Sequence, residues 1–311
     1  MSSVLVTGGA GFIGCNFVHF LVSEGHDVAV LDKLTYAGNM KSLEGVKNKI
    51  NFTKGDIANR SDAEKSMKGC DIVVNFAAET HVDRSIEDPE PFIRTNVFGT
   101  YMLLEAARKN NTEKFIHIST DEVYGSSDSG FFKESDPLSP GNPYSATKAA
   151  AEHLALSYAN TYGIDAVVTR SSNNYGPYQN PEKLIPKMIT NAMKNRPLPV
   201  YGKGTNIRDW LFVEDNCSAI LKVIQNGKSG EVYNIGGGNE KKNTDVVKTI
   251  LRILQKPETL IHFVPDRPGH DFRYALDIAK IKKLGWKPKH SFEQGLKKTI
   301  EWYANNTWFW Q

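Results

Sequence analysis

The stretch SVLVTGGAGFIGCNFVHFLV, residues 3–22, decides how this chain folds. Positions 4–22 carry no charge over 19 residues, close to the length of a membrane span. Glycines at 8, 9, 11 and 14, with Asn16 and His19, argue against a span. No basic residue precedes the run, as a targeting segment would require. The stretch reads instead as a buried strand over Ser3–Thr7, a glycine turn and the start of a helix. Gly8, Gly11 and Gly14 have the spacing GxxGxxG. In such a turn the first glycine permits the bend, the second lets a pyrophosphate approach the backbone, and the third lets helix pack on strand. The helix start, at Phe12 and Ile13, then offers free N–H groups and a positive dipole end. A second strand over Asp27–Leu31 leads to Asp32, 18 residues after Gly14. A carboxylate there binds ribose hydroxyls and repels a 2′-phosphate, so the expected cofactor is NAD, with Lys33 beside the site.

Outward from this turn, the first half alternates strand and helix signals. Val- and Ile-rich runs at 71–76, 114–119 and 165–170 read as strands covered on both faces. Segments of helical period lie between them, including Pro91–Lys109 and Tyr144–Tyr162. This alternation predicts an α/β fold, a Rossmann-type doubly wound parallel sheet. After about Ser171, prolines at 177, 181, 186, 197 and 199 and the run Gly236–Gly238 break the chain into short pieces. A smaller mixed α/β lobe is expected there, with helices near Asn243–Leu254 and Phe292–Asn305. The expected division is 1–171 for the cofactor and 172–311 for the substrate, with Glu231–Ile235 a possible strand or return crossing. The length of 311 residues suits one large or two medium domains. The 38 Lys+Arg against 35 Asp+Glu give +3, too little for a nucleic-acid surface. Cys15, Cys70 and Cys217 form neither a zinc pattern nor a disulfide framework, and read as reduced thiols in a cytoplasmic protein. No metal and no membrane partner are expected.

Tyr144 and Lys148 form Tyr-x-x-x-Lys, which places both on one helix face. A phenol titrates near pH 10 when free; an adjacent ammonium and the positive nicotinamide ring of NAD favour its phenolate, which can take a hydroxyl proton while a hydride leaves for NAD. Ser119, Thr120, Asp121 and Glu122 follow the strand at 114–119, on the sheet edge where open α/β sheets bind ligands. Two adjacent carboxylates there repel each other and tend to separate into an acid and a base. An exposed acidic loop is the plainer alternative. Gly55-Asp56-Ile57 and Phe76-Ala77-Ala78 end two further strands and suit cofactor contacts, Asp56 and Ile57 near adenine and Ala77 and Ala78 where backbone approaches the cofactor.

These segments together resemble the extended short-chain dehydrogenase/reductase family, specifically its dTDP-glucose 4,6-dehydratases. The resemblance covers nearly the whole chain: TGGAGFIG, DKLTYAGN, FAAETHVDRSI, STDEVYG, NPYSATKAAAEH, SNNYGPYQNPEKLIP, Arg208–Leu211, YNIGGGNEKKN and DRPGHDFRYALD. STDEVYG discriminates best, since related 4-epimerases typically lack both carboxylates. The resemblance implies Tyr144, Lys148, Thr120, Asp121 and Glu122 as catalytic residues and Thr35 as a cofactor contact. It implies Ser85, Thr120, Asn173, Lys183, Leu184, Tyr201, Arg208, Asn243, Arg267 and His270 as substrate contacts, with the two arginines matching diphosphate oxygens. It further implies dTDP-glucose as substrate, and a homodimer in which Pro91–Lys109 and Tyr144–Tyr162 pair into a four-helix interface. Phe272 stands where the family commonly has arginine. UDP- or CDP-glucose 4,6-dehydratases, 4-epimerases and a non-catalytic NAD-binding scaffold are the alternatives.

Overall fold

The computed structural model describes residues 2–127, 129–266 and 272–311. Seven parallel strands form the central sheet in the order β10-β6-β5-β4-β1-β2-β3. They are β1 Ser3–Thr7, β2 Asp27–Asp32, β3 Ile50–Lys54, β4 Ile72–Asn75, β5 Lys114–Thr120, β6 Ala166–Ser171 and β10 Val232–Ile235. The first six lie within two residues of the expected runs, where a run was expected. The strand order reverses between β1 and β4, which opens a crevice at their carboxyl ends.

Alternation along each strand builds two apolar layers. Val4 and Val6 of β1 face α1 (Phe12–Ser23) and α8 (Val213–Asn226), against Val18, Leu21 and Ile220. Leu5 faces the opposite side, where α2 (Arg60–Met67), α5 (Thr100–Asn110) and α6 (Pro143–Tyr162) contribute Met67, Leu103 and Ala155. The uncharged run at 4–22 is therefore strand, turn and a helix of 12 residues. Among the described residues no helix is long and apolar enough to cross a membrane.

Short elements line the mouth of the sheet: α3 (Val82–Glu87) and α4 (Glu90–Phe92), the latter continuing through a π-helical stretch, Ile93–Gly99, into α5. The expected helix at 91–109 is thus one irregular rod. Its wide turn turns Asn96 inward, where the side chain holds both the N–H (2.8 Å) and the carbonyl (3.1 Å) of Glu79. α6 starts at a capping box: Asn142 accepts from Ser145 N–H at 2.9 Å and Ser145 returns the bond to Asn142 N–H at 3.3 Å. Pro143 occupies its first turn, where no N–H is missed.

The later residues cross back and forth. β10 pairs with β6 as the seventh strand of the main sheet, so Glu231–Ile235 is the return crossing. A second sheet has the order β11-β9-β7, from Glu240–Lys242, Ile207–Phe212 and Asn173–Tyr175; β8 (Leu198–Tyr201) and β12 (Ile261–Val264) form a third. Helices α7 (Leu184–Met193), α9 (Asn243–Ile253) and α11 (Phe292–Asn305) close a separate apolar cluster around Trp210 and Phe212, while the short α10 (Ala279–Lys283) packs by β10.

Candidate active site

The glycine turn packs too closely for side chains. Gly8 has φ +67°, and a Cβ there would stand 2.7 Å from the Ala77 nitrogen. A Cβ on Gly14 would stand 2.2 Å from the Gly8 carbonyl oxygen. Gly11, in contrast, would meet only that oxygen, at 3.2 Å, and lies on a cavity of about 450 Å³. Helix α1 begins beside it with no side-chain cap and no acid in its first turn, so its N–H groups stay available to an anion. Such a helix end favours negative charge by about 0.3–1 kcal/mol. Asp32 anchors the next rim: its carboxylate accepts Ala10 N–H at 2.9 Å and Leu34 N–H at 2.7 Å. Burial raises the Asp32 carboxyl, and those two bonds oppose the rise. Burial would also raise Asp56, but Lys33, 2.9 Å away, the Ala58 N–H and Arg94 together hold that carboxyl below its ordinary value.

The reacting groups meet at the other end of the cavity. β5 delivers Thr120, whose hydroxyl accepts Glu122 N–H and donates to Asp121 Oδ1, both at 3.3 Å. Thr120 also stands close enough to the Tyr144 hydroxyl to lower its phenol. Tyr144 is held from behind by the buried Ser85, whose Oγ accepts its backbone N–H at 3.2 Å, and by the edge of the Phe92 ring. Lys148 is buried one turn along and donates to the Ile118 carbonyl. Burial brings its ammonium down to about 8, against the opposing charge of Glu152.

Two directions matter for chemistry. Burial, then the neighbouring Glu122 and Asp209, push the Asp121 carboxyl well above its ordinary value, which favours its protonated form. Burial, then Glu122, also pushes the Tyr144 phenol up, with only the Thr120 bond lowering it. Spacing reports only neighbouring charge; in the packed interior, without the positive cofactor ring, desolvation is the largest influence on Tyr144.

The cavity is lined by Gly8, Gly11, Phe12, Ile13, Gly14, Asp32, Lys33, Thr35, Asp56, Ile57, Ala77 and Ala78 on the glycine side, by Thr120, Asp121, Glu122, Tyr144 and Lys148 at the reacting end, and by Asn173 and Lys183 from the later residues. Buried polar atoms without a partner cluster here: Ser119 Oγ, Asp121 Oδ2, Asn173 Oδ1, Asn174 Oδ1, Gln179 Oε1 and Glu182 Oε1. Buried polar groups are normally satisfied, so this concentration marks a cleft shaped for a polar ligand. Uncapped helix end, glycine cradle and Asp32 together fit a dinucleotide without a 2′-phosphate.

Other expected contacts lie elsewhere. Ser85 acts behind Tyr144, and Leu184 packs on the apolar cluster of the second lobe. Tyr201 is exposed at the end of β8, and Asn243 opens α9 with a buried, unpartnered Oδ1. Arg208 is buried on β9 and donates to the carbonyls of Ile207 (2.8 Å) and Phe272 (3.2 Å), with its guanidinium over the Tyr274 ring. Its charge also reaches Asp121 at the reacting end, where it opposes the rise of that carboxyl. Arg267 and His270 fall outside the described residues. Tyr36, Glu79, Tyr178, Glu182 and Phe309 line the cavity without having been anticipated. The first four stand in the segments DKLTYAGN, FAAETHVDRSI and SNNYGPYQNPEKLIP, but nothing in their spacing marks them.

Comparison with known proteins places this architecture. The sequence profile of the family described as GDP-mannose 4,6 dehydratase matches residues 5–299. A dTDP-glucose 4,6-dehydratase of Streptomyces niveus is 50% identical over 317 residues, covering 99% of this chain and 94% of the relative. The low-salt glycan biosynthesis protein Agl12 of Haloferax volcanii is 52% identical over 306 residues, covering 97% and 99%. The crystal structure of DesIV, a dTDP-glucose 4,6-dehydratase from Streptomyces venezuelae solved with NAD and TYD bound, superposes with a TM-score of 0.97 at 45% identity, covering 99% of each chain.

Proposed function

The chain belongs to the GDP-mannose 4,6 dehydratase family, and from that premise we propose that it is a hydro-lyase converting dTDP-glucose to dTDP-4-keto-6-deoxyglucose with bound NAD. The observation that carries the reading is the set Thr120, Asp121 and Glu122 facing Tyr144 and Lys148 in the cavity that begins at the glycine turn. Gly8, Gly11, Phe12, Ile13 and Gly14 would hold the pyrophosphate of NAD. Asp32, Lys33 and Thr35 would hold its adenosine ribose, Asp56 and Ile57 its adenine, and Ala77 and Ala78 the middle of the cofactor. When bound, oxidised NAD would supply a positively charged ring and a reversible hydride acceptor for the sugar.

The residues of the chain move the protons. Tyr144, as phenolate, takes the proton of the sugar 4-hydroxyl, and the Lys148 ammonium supports the negative charge. Thr120 Oγ1, beside Tyr144 in the cavity, directs the 4-oxygen. The resulting ketone acidifies the proton on C5. Glu122 takes that proton, and Asp121, whose acid form burial favours, gives its own to the C6 hydroxyl, which leaves as water. Proton return from Glu122 to C5 completes the 4-keto-6-deoxy sugar. Asn173 and Lys183 border the side of the cleft assigned to the diphosphate and nucleoside. Leu184, Tyr201, Arg208, Asn243, Arg267 and His270 are assigned to the nucleotide by resemblance.

We further divide the chain at residue 171 into an NAD-binding part and a sugar-nucleotide part, and place the enzyme in the cytoplasm as a homodimer. Exposed Ile93, Phe98 and Tyr162 on the helical runs leading into α5 and along α6 support that pairing.

Incubation with dTDP-glucose, without added reductant, should generate the alkali-induced absorbance of a 4-keto sugar. Turnover of UDP- or CDP-glucose instead would reassign the base, and turnover of none would overturn the enzymatic reading.

A further inference from the structure

A strip of the later residues crosses the cleft. Tyr178, Gln179, Asn180, Pro181, Glu182 and Lys183 all line the cavity. At its start the strip is tied to α1, the helix that opens at the glycine turn. Asn16 Nδ2 donates to the Pro177 carbonyl at 2.9 Å, and the Tyr178 ring stacks on His19 with centroids 5.8 Å apart and planes 10° apart. Tyr178 has φ +65°, a conformation rare for a side-chain-bearing residue and kept only where the surroundings hold it.

At its far end the strip is tied to the same half of the molecule again. Glu182 Oε2 lies 3.6 Å from Arg84 Nη2 and 4.0 Å from His81 Nε2. Arg84 in turn lies over the Tyr36 ring, 3.8 Å from its centre, and Tyr36 itself lines the cavity. Burial and the charge of Lys183 lower the His81 imidazole, so near neutral pH Arg84 carries the pairing. From behind, the Tyr303 hydroxyl bonds the Gln179 carbonyl, and Trp302 and Phe309 pack on Tyr178 with centroids 4.6 and 6.2 Å away. Phe309 reaches the cavity as well.

We propose that residues 177–183 form a retaining strap over the dinucleotide, hinged on α1 through Asn16, His19 and Tyr178 and clasped at its outer end by Arg84 and Glu182. The inference rests on the reading of the cleft as an NAD site. It gives a structural reason for retention: the proposed reaction returns the hydride it removes, so the cofactor never needs to leave between turnovers. To leave, NAD must displace a strip fastened at both ends.

The test reads NAD release rather than dehydration. Parent protein, Arg84→Met, Glu182→Gln and the double variant are loaded with NAD and freed of excess nucleotide. Released NAD is then followed in the filtrate with an independent NAD-dependent dehydrogenase. Each single variant should release NAD roughly fivefold faster, the scale of one partly exposed ion pair. The double variant should be no faster than the singles, because both remove the same contact. kcat at saturating NAD should stay near the parent value. Release at the parent rate in both variants, additive effects in the double variant, or loss of kcat at saturating NAD would overturn the strap. A parent that retains NAD but leaves dTDP-glucose unchanged would overturn the substrate reading alone. A parent that binds no NAD would overturn both.

Discussion

The wall of the cleft running from Gly8 to Asp32 is the edge of a parallel sheet, whereas the facing wall, from Asn173 to Lys183, is a short strand followed by loop. On the first wall the backbone itself is the binding surface: no side chain fits at Gly8 or Gly14, and an uncapped helix points its N–H groups inward. On the second wall the surface consists of side chains, several with no partner of their own, such as Asn173 Oδ1 and Gln179 Oε1. The difference assigns labour. A rigid backbone cradle suits a cofactor that every turnover shares, and the side chains at the start of the second wall, Asn173 and Asn174, suit a substrate that must enter and leave.

That contrast can be broken by experiment. The largest effect belongs to the reacting groups fixed by sheet and helix. Tyr144→Phe should lower kcat by about 10²–10⁴, the span of a positioned acid–base group, with NAD content unchanged. Steady-state kinetics beside a nucleotide assay checks both, and a retained kcat would remove Tyr144 from its role.

The next effect is one of pH. Burial holds Lys148 near 8, so above that value it loses the proton that supports the phenolate. Activity should therefore fall on the alkaline side, roughly tenfold by pH 9. The loss should appear in kcat rather than in KM, because the side-chain wall carries no part of this titration. A pH profile flat to 10 would contradict the burial of Lys148.

The smallest effect lies on the side-chain wall. Asn173→Ala should raise KM for the sugar nucleotide roughly fivefold, the worth of about one hydrogen bond, and leave kcat within a few-fold. An equal loss in kcat would erase the distinction between the walls.

The same contrast explains how much could be read beforehand. Gly8, Gly11, Gly14 and Asp32, and the pair Tyr144–Lys148, are each set by local spacing within one turn or helix, so their positions follow from the sequence. Arg208 is different. It lies on a strand whose register with Lys241 on β11 depends on tertiary pairing, as does the seat of its guanidinium over Tyr274. Tyr201 and Leu184 likewise depend on how later elements dock. The direction of the Tyr144 shift was illegible for a related reason: desolvation is a property of the packed interior, and spacing alone reports only the neighbouring charge. The strap escaped notice because its ties, Asn16 to Pro177 and Arg84 to Glu182, join residues about 100 or more positions apart.

The central claim is that one site oxidises C4 and delivers the same hydride to C6. The direct measurement is turnover of dTDP-glucose deuterated at C4, in ordinary water, with the product examined by NMR. The account predicts the deuterium in the C6 methyl group of the 4-keto-6-deoxy product. Deuterium lost to solvent, or retained at C4, would contradict it.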